Sequence, residues 1–254
     1  MIASISLSQV AAVTGGELFG ADKSFNQVFT DSRKVVDGGL FVALRGENFD
    51  GHAYVSNVQQ AGALAAVVDS VQELPVDARS FTQLKVDNTL KALGQIAEQN
   101  RKNFEGELVA LTGSCGKTTT KEMLASIFSL SKNTLATDGN FNNEIGVPLT
   151  LLRLSSEHEL GIIEMGAAAI GDIEYLCEFT KPSIALITNA QAAHIEGFGS
   201  IEGVAQGKGE IYSSLGKAGF AVINADDNFA ELWLDLASHC KRIIRFSIAS
   251  SDAD

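Results

Sequence analysis

Nowhere do the 254 residues offer the roughly 20 uninterrupted apolar positions that a helix needs to cross a bilayer. The opening Met1-Ile2-Ala3-Ser4 lacks the basic start and apolar core of a secretory leader. No membrane insertion is expected, and the expected location is cytoplasmic. Cysteine is scarce: Cys115, Cys177 and Cys240 are odd in number and widely spaced, which excludes a disulfide framework and the paired spacing of a zinc site. Positive charge is also short. With 19 Lys and Arg against 31 Asp and Glu, the net charge is -12, which argues against general affinity for nucleic acid or an anionic membrane. An anionic ligand must therefore be captured locally, by backbone amides, a few placed cations and a divalent metal.

What is present is 45% hydrophobic content, enough for one or two buried cores. Up to about Leu84 short strand and helix patterns are punctuated by turn signals at Gly15-Gly16, Gly38-Gly39, Arg45-Gly46-Glu47-Asn48 and Asp50-Gly51. This predicts a small α/β domain over 1–84. Residues 88–103 carry Leu90, Leu93, Ile96 and Ala97 at helical spacing, which predicts a helix joining two domains. A second domain is predicted over 85–254. There, the apolar runs 108–111, 161–163, 184–187, 220–223 and 243–246 alternate with helical segments, the pattern of a mostly parallel sheet covered on both faces. In the segment 117–130, Met123, Leu124, Ile127 and Phe128 form the expected apolar stripe. The chain ends at Ser250-Ser251-Asp252-Ala253-Asp254, just after a predicted strand, which suggests an incomplete sheet domain.

The chemistry concentrates at Thr112-Gly113-Ser114-Cys115-Gly116-Lys117-Thr118-Thr119. A glycine turn between a strand and a helix aims backbone N–H groups and the positive helix end at a phosphate. Gly113 and Gly116 allow close approach, Lys117 reaches the terminal phosphates, and the Thr118 hydroxyl suits Mg²⁺. The loop is a contracted form, because position 111 is Leu. Cys115 inside it is expected to be an oxidation-sensitive thiol. Ligands of open parallel sheets sit at the carboxyl ends of strands. That rule singles out Glu164 for a metal, Asn189, and His194 for a metal or a transferred phosphate. Lys208 lies in the following helix-like segment, where a plain surface lysine is the alternative. Asn140, Asn142 and Asn143 offer amides for a polar substrate, or only a turn.

These segments, together with Asn140-Phe141-Asn142-Asn143-Glu144-Ile145-Gly146-Val147-Pro148, Glu164-Met165-Gly166 and His194-Ile195-Glu196-Gly197-Phe198-Gly199, resemble the Mur ligases of peptidoglycan synthesis. Thr30-Asp31-Ser32-Arg33 and Asn48-Phe49-Asp50-Gly51-His52 are similar to that family's domain for the UDP-sugar peptide. The resemblance implies an ATP-dependent, ADP-forming carboxylate–amine ligase, in the branch that adds D-alanyl-D-alanine to UDP-N-acetylmuramoyl-tripeptide through an acyl phosphate. It implies Lys117 on the β- and γ-phosphates, with Gly113, Ser114, Cys115, Gly116, Thr118, Thr119 and Asn143 around the nucleotide. It further implies Thr118 and Glu164 on one Mg²⁺, His194 on a second, and Lys208 at the position carbamylated in several relatives. Ser32, Arg33, Asn48 and His52 are implied contacts of the UDP-substrate. A monomer is expected. The family's third domain, which closes over ATP, has no counterpart in these 254 residues, so weak or no turnover by this chain alone is expected. A sister ligase with another amine, a small-molecule kinase and a non-catalytic binding module remain alternatives.

Overall fold

A computed structural model describes residues 1–75 and 80–249; the terminal segment at Ser250–Asp254 lies outside the described residues. Its internal contacts divide the chain into two units, one of Met1–Phe104 with Leu151–Ser155, the other of Glu105–Thr150 with Ser156–Asp254. The helix expected to join two domains thus lies inside the first unit, and the expected boundary after residue 84 moves to 104. The reason is packing. Helix Thr89–Lys102, capped by Asn88 accepting from Lys91 N, buries Ala92, Leu93, Ile96 and Ala97. That apolar face belongs to a core and cannot serve as an exposed connector. From the same helix, the buried Asn100 donates to Leu151 O and Leu154 O at 2.8 and 3.1 Å, which draws that short segment into the first unit.

In the first unit the strands run, in spatial order, Glu17–Phe19, Thr82–Lys85, Ala65–Val68, Leu40–Val42 and Val28–Phe29. All pairs are parallel except the first. Central Ala65–Val68 is buried at every position, as a strand covered on both faces must be. Helix Leu7–Thr14 opens on a capping box, Gln9 N donating to Ser6 Oγ and Ser6 N to Gln9 Oε1, and ends on a left-handed Gly15.

The second unit is built on six parallel strands in the order Thr134–Ala136, Leu160–Glu164, Glu107–Thr112, Ile184–Ile187, Phe220–Asn224 and Arg242–Phe246. All five strands expected here from apolar runs are present, and the edge strand Thr134–Ala136 is added. Strand Glu107–Thr112 sits inside the sheet and pairs with Leu160–Glu164 on one side and Ile184–Ile187 on the other. It delivers its carboxyl end, and the loop that follows, to the crevice where strand order reverses. One expectation fails: on helix Lys117–Phe128, Leu124, Ala125 and Phe128 pack on the sheet, while Met123 and Ile127 are 60% and 58% exposed. The inward row is Lys121, Leu124, Ala125 and Phe128, a spacing of three and four residues with a fully buried lysine at its head.

Candidate active site at the phosphate loop

The loop after Thr112 is held open by residues that follow the neighbouring strand. Gly113 has φ +150°, and a Cβ there would collide with Thr188 Oγ1, so only glycine fits. Thr188 Oγ1 donates to Cys115 O at 2.6 Å. Asn189 brackets the same residue, accepting from Cys115 N at 3.0 Å and donating to Cys115 O at 3.1 Å. Ser114 N donates to Asn189 O at 3.0 Å. Gly116, left-handed at φ +79°, starts helix Lys117–Phe128 with no side chain capping it. An uncapped first turn leaves N–H groups for an anion. Lys117 Nζ donates to Gly113 O at 2.7 Å, and Thr118 and Thr119 are exposed. The Cys115 thiol is exposed and 3.4 Å from Gln191 Oε1; all three cysteines are free.

Beside the loop, strand register pairs Glu164 with Leu111, and Met165 N donates to Leu111 O at 2.8 Å. Glu164 is only 1% exposed, yet it carries a carboxylate. Its Oε1 accepts from Asn142 Nδ2 at 2.8 Å, while Oε2 is buried without a hydrogen-bond partner. An unmatched buried carboxylate oxygen is costly unless a cation completes it. Carboxylate and hydroxyl oxygens suit a hard ion such as Mg²⁺, which keeps waters and phosphate oxygens for the rest of its shell. Among the described residues no three His, Cys, Asp or Glu side chains form a metal cage of their own.

A cavity of about 290 Å³ is lined by Lys117, Asn142, Asn143, Glu144, Asp172 and His194, among others. His194 is exposed in the left-handed region at φ +57°, an uncommon conformation for a side chain other than glycine. Asn143 uses its Oδ1 on Gly146 N at 2.9 Å, capping the next helix, so that oxygen is committed to structure. Lys208 is 2% exposed, its ammonium 5.7 Å from the centre of the Phe198 ring. Burial first, and the charge of Lys117 second, push its pKa down to about 8. A surface lysine is therefore ruled out at 208.

In the first unit, Ser32 is half-buried in a turn and Arg33 is exposed, its guanidinium paired with Asp31 at 2.8 and 2.9 Å. That pair holds the Asp31 carboxyl down at about 2. Asn48 is exposed at the tip of the hairpin formed by Arg45–Gly46 and Phe49–Asp50. His52 differs from expectation. It is buried, its Nε2 accepts from Asp69 N at 3.0 Å, and its Nδ1 lies 2.6 Å from Asp50 Oδ1. With both ring nitrogens engaged within the fold, His52 has none to offer a ligand; it anchors the hairpin, together with Arg45, which pairs with Asp69 and Asp50.

Sequence reasoning passed over Thr188, Gln191 and Lys121. For Lys121 a signal existed, since a lysine in the core-facing row of an amphipathic helix breaks the pattern. For Thr188 and Gln191 there was none, because their role is set by a loop some 75 residues away.

Comparison with known proteins agrees with this geometry. The chain matches the Mur ligase middle domain over residues 111–254 and the Mur ligase family catalytic domain over 24–101. It is 45% identical over 251 residues to UDP-N-acetylmuramoyl-tripeptide–D-alanyl-D-alanine ligase of Escherichia coli (strain K12), covering 99% of this chain and 54% of that protein. The enzyme of the same name from Haemophilus influenzae is 45% identical over 234 residues, 90% of this chain and 50% of that one. A crystal structure of MurF from Acinetobacter baumannii superposes with a TM-score of 0.89 at 36% identity, over 100% of this chain and 55% of that one. MurF from Thermotoga maritima in complex with ADP gives 0.75 at 29% identity, over 88% and 51%. The chain spans about half the length of the curated relatives it matches.

Proposed function

The chain belongs to the Mur ligase family, and on that premise we propose that it carries the ATP site of a ligase joining D-alanyl-D-alanine to UDP-N-acetylmuramoyl-tripeptide. In this reading the tripeptide's terminal carboxylate oxygen attacks the γ-phosphorus of ATP, the bond to the β,γ-bridging oxygen breaks, and ADP leaves. The amine of D-alanyl-D-alanine then attacks the acyl phosphate carbon, phosphate departs, and the nitrogen loses a proton. Phosphoryl transfer of this kind asks for positioning and charge neutralisation.

Each residue has a part in that reading. Gly113, Ser114, Cys115 and Gly116 form the loop around the phosphates; Asn189 holds the Ser114 and Cys115 amides, so the amides offered to the anion are those of the uncapped first helical turn, Thr119 included. Lys117 exchanges Gly113 O for the β- and γ-phosphate oxygens. Thr118 and Glu164 would hold one Mg²⁺ and His194 would help hold a second; the metal would supply neutralisation of the charge that builds on the phosphate oxygens. Asn143 sits at the cavity wall near the nucleotide. Ser32, Arg33 and Asn48 would face the UDP-substrate, whereas His52 holds Asp50 at the base of the hairpin that carries Asn48. Lys208, with about a tenth of its amine neutral at pH 7, is suited to carbamylation, which turns a buried cation into an anion.

The observation that carries the proposal is the partnerless Oε2 of Glu164 one strand from the phosphate loop. Calorimetric titration of this chain with ADP should give affinity that depends on Mg²⁺. Glu164→Gln should weaken the apparent Mg²⁺ affinity about 10- to 100-fold. Binding indifferent to Mg²⁺, or a variant that needs no more metal than the parent, refutes the assignment. ADP release on mixing UDP-N-acetylmuramoyl-tripeptide, D-alanyl-D-alanine and ATP, compared across candidate amines, tests the choice of substrates.

Lys208 also predicts a pH effect on stability. Its folded pKa lies below the ordinary 10.5, so between about pH 8 and 10.5 the unfolded chain binds more protons than the folded one. Stability contributed at this site therefore rises with pH across that window, and below pH 8 the penalty is fully present, about 3 kcal/mol at most. Lys208→Met should be the more stable form at pH 7, and denaturant titrations should show the two converging by pH 10. Parallel pH curves for the two proteins would contradict this.

A further inference from the structure

The fully buried Lys121 takes no part in the chemistry above, and a lysine is an expensive residue to enclose. Its Nζ donates to Thr137 O at 2.7 Å and to Gly139 O at 3.3 Å, and pairs with Glu122 Oε1 at 2.9 Å. Glu122 is exposed, so the enclosed contacts are the two carbonyls. Those carbonyls belong to a segment with direct access to Glu164. Thr137 Oγ1 accepts from Glu164 N at 3.0 Å. A few residues on, Asn142 donates to Glu164 Oε1 and accepts from Gly166 N at 2.7 Å. Glu164 is thus gripped on its backbone and on its carboxylate by one stretch, residues 137–142, and Lys121 ties that stretch to the helix that bears Lys117 and Thr118.

We propose that Lys121 is a positioning residue for the metal at the phosphate loop: through Thr137 and the 139–142 turn it fixes Glu164 relative to the helix that carries Thr118. This rests on the proposed Mg²⁺–nucleotide site. The two places where the structure must bring oxygen ligands together, a helix and a neighbouring strand, have no covalent reason to keep a fixed spacing. A buried ammonium donating to two carbonyls provides one, since breaking it would strand a charge. A neutral apolar side chain of the same length would fill the space and keep Leu124, Ala125 and Phe128 packed on the sheet, but would no longer hold the carbonyls of Thr137 and Gly139. Outer-shell groups of this kind typically change metal affinity by about 10- to 100-fold.

The test is a titration of ADP into this chain at a series of Mg²⁺ concentrations, with Lys121→Met and Thr137→Val as the variants. Lys121→Met is expected to raise the Mg²⁺ concentration for half-maximal stabilisation of binding about 10-fold or more, with metal-free ADP affinity within about twofold of the parent. Thr137→Val leaves the carbonyl for Lys121 and removes the acceptor for Glu164 N together with a long 3.5 Å bond to Ile162 O, so it should show the same metal-specific loss. Lys121→Arg should restore part of it. Equal weakening with and without metal in Lys121→Met would mark a general structural role and overturn the proposal, as would Mg²⁺ dependence like the parent's. If Lys121→Met does not fold, Thr137→Val decides: parent-like metal dependence there sinks the idea. A parent protein that shows no Mg²⁺-dependent binding would instead count against the site itself.

Discussion

Adding one methyl group at position 113 is expected to weaken nucleotide binding about 100-fold or more. Gly113→Ala combines two penalties. The backbone there is at φ +150°, which side-chain-bearing residues rarely adopt, and the new Cβ would meet Thr188 Oγ1, with Thr188 Cβ and N only 3.1 and 3.2 Å away. Something must shift, and the movable group is the hydroxyl that closes the loop on Cys115 O. Displacing it takes the loop amides off target, at a site where misplacement by about 1 Å is enough to cost 100-fold. ADP affinity should fall about 100-fold or more while the far-ultraviolet spectrum stays unchanged. Thr188→Ala in the same chain should recover only part of the loss, because Cβ and the backbone still crowd. Nucleotide affinity in Gly113→Ala within about threefold of the parent would show that the loop tolerates rearrangement and that its geometry is not the determinant.

The largest effect on stability is expected at Trp233. Its ring is wholly enclosed between helices Ala230–Leu236 and Ile201–Ser213, its Nε1 donates to Ala205 O at 3.1 Å, and Tyr212 lies 6.4 Å away ring to ring. Trp233→Ala should cost about 3–5 kcal/mol in denaturant unfolding, with the slope of the transition unchanged. Trp233→Phe keeps most of the packing and loses the indole hydrogen bond, so it should cost about 1–3 kcal/mol by leaving Ala205 O without that donor. Because helix Ile201–Ser213 carries Lys208, the alanine variant should also relax the enclosure of that amine. A cost under about 1 kcal/mol would mean the two helices repack without the indole.

Much of this was legible in the chain. Runs such as 161–163 and 184–187 read as strands because burial on both faces removes the polar alternation that would otherwise confuse them. The phosphate loop was legible because its chemistry is local: glycines, a lysine and a threonine in one turn. The edge strand Thr134–Ala136 was not, being three residues long with Leu135 alone fully buried. On helix 117–128 the expected Leu124 and Phe128 do face the sheet, while Met123 and Ile127 look like core residues and are exposed and Lys121 is buried in their stead; burial of an ion depends on carbonyls at 137 and 139 that no local window contains. The surroundings of His52 were illegible for a similar reason, because its distant partner Asp69, with Asp50, decides whether its nitrogens are engaged. The division of the chain was shifted by Asn100, whose clamp on 151–154 is another distant pairing.

The dependence of the loop on Thr188 and Asn189 bears on the order in which the molecule is assembled. Residues 74 positions apart in the chain must meet before Cys115 is held, and the strand leading into the loop needs partners from 160–164 and 184–187 on its two sides. Such remote pairings form late, because the entropy of closing long loops must be overcome first. A nascent chain ending before residue 188 therefore has every glycine of the motif and no cradle. Nucleotide is a ligand of the finished sheet, and it enters folding only as a clamp on the product, adding RT ln(1 + [L]/Kd) to its free energy of unfolding.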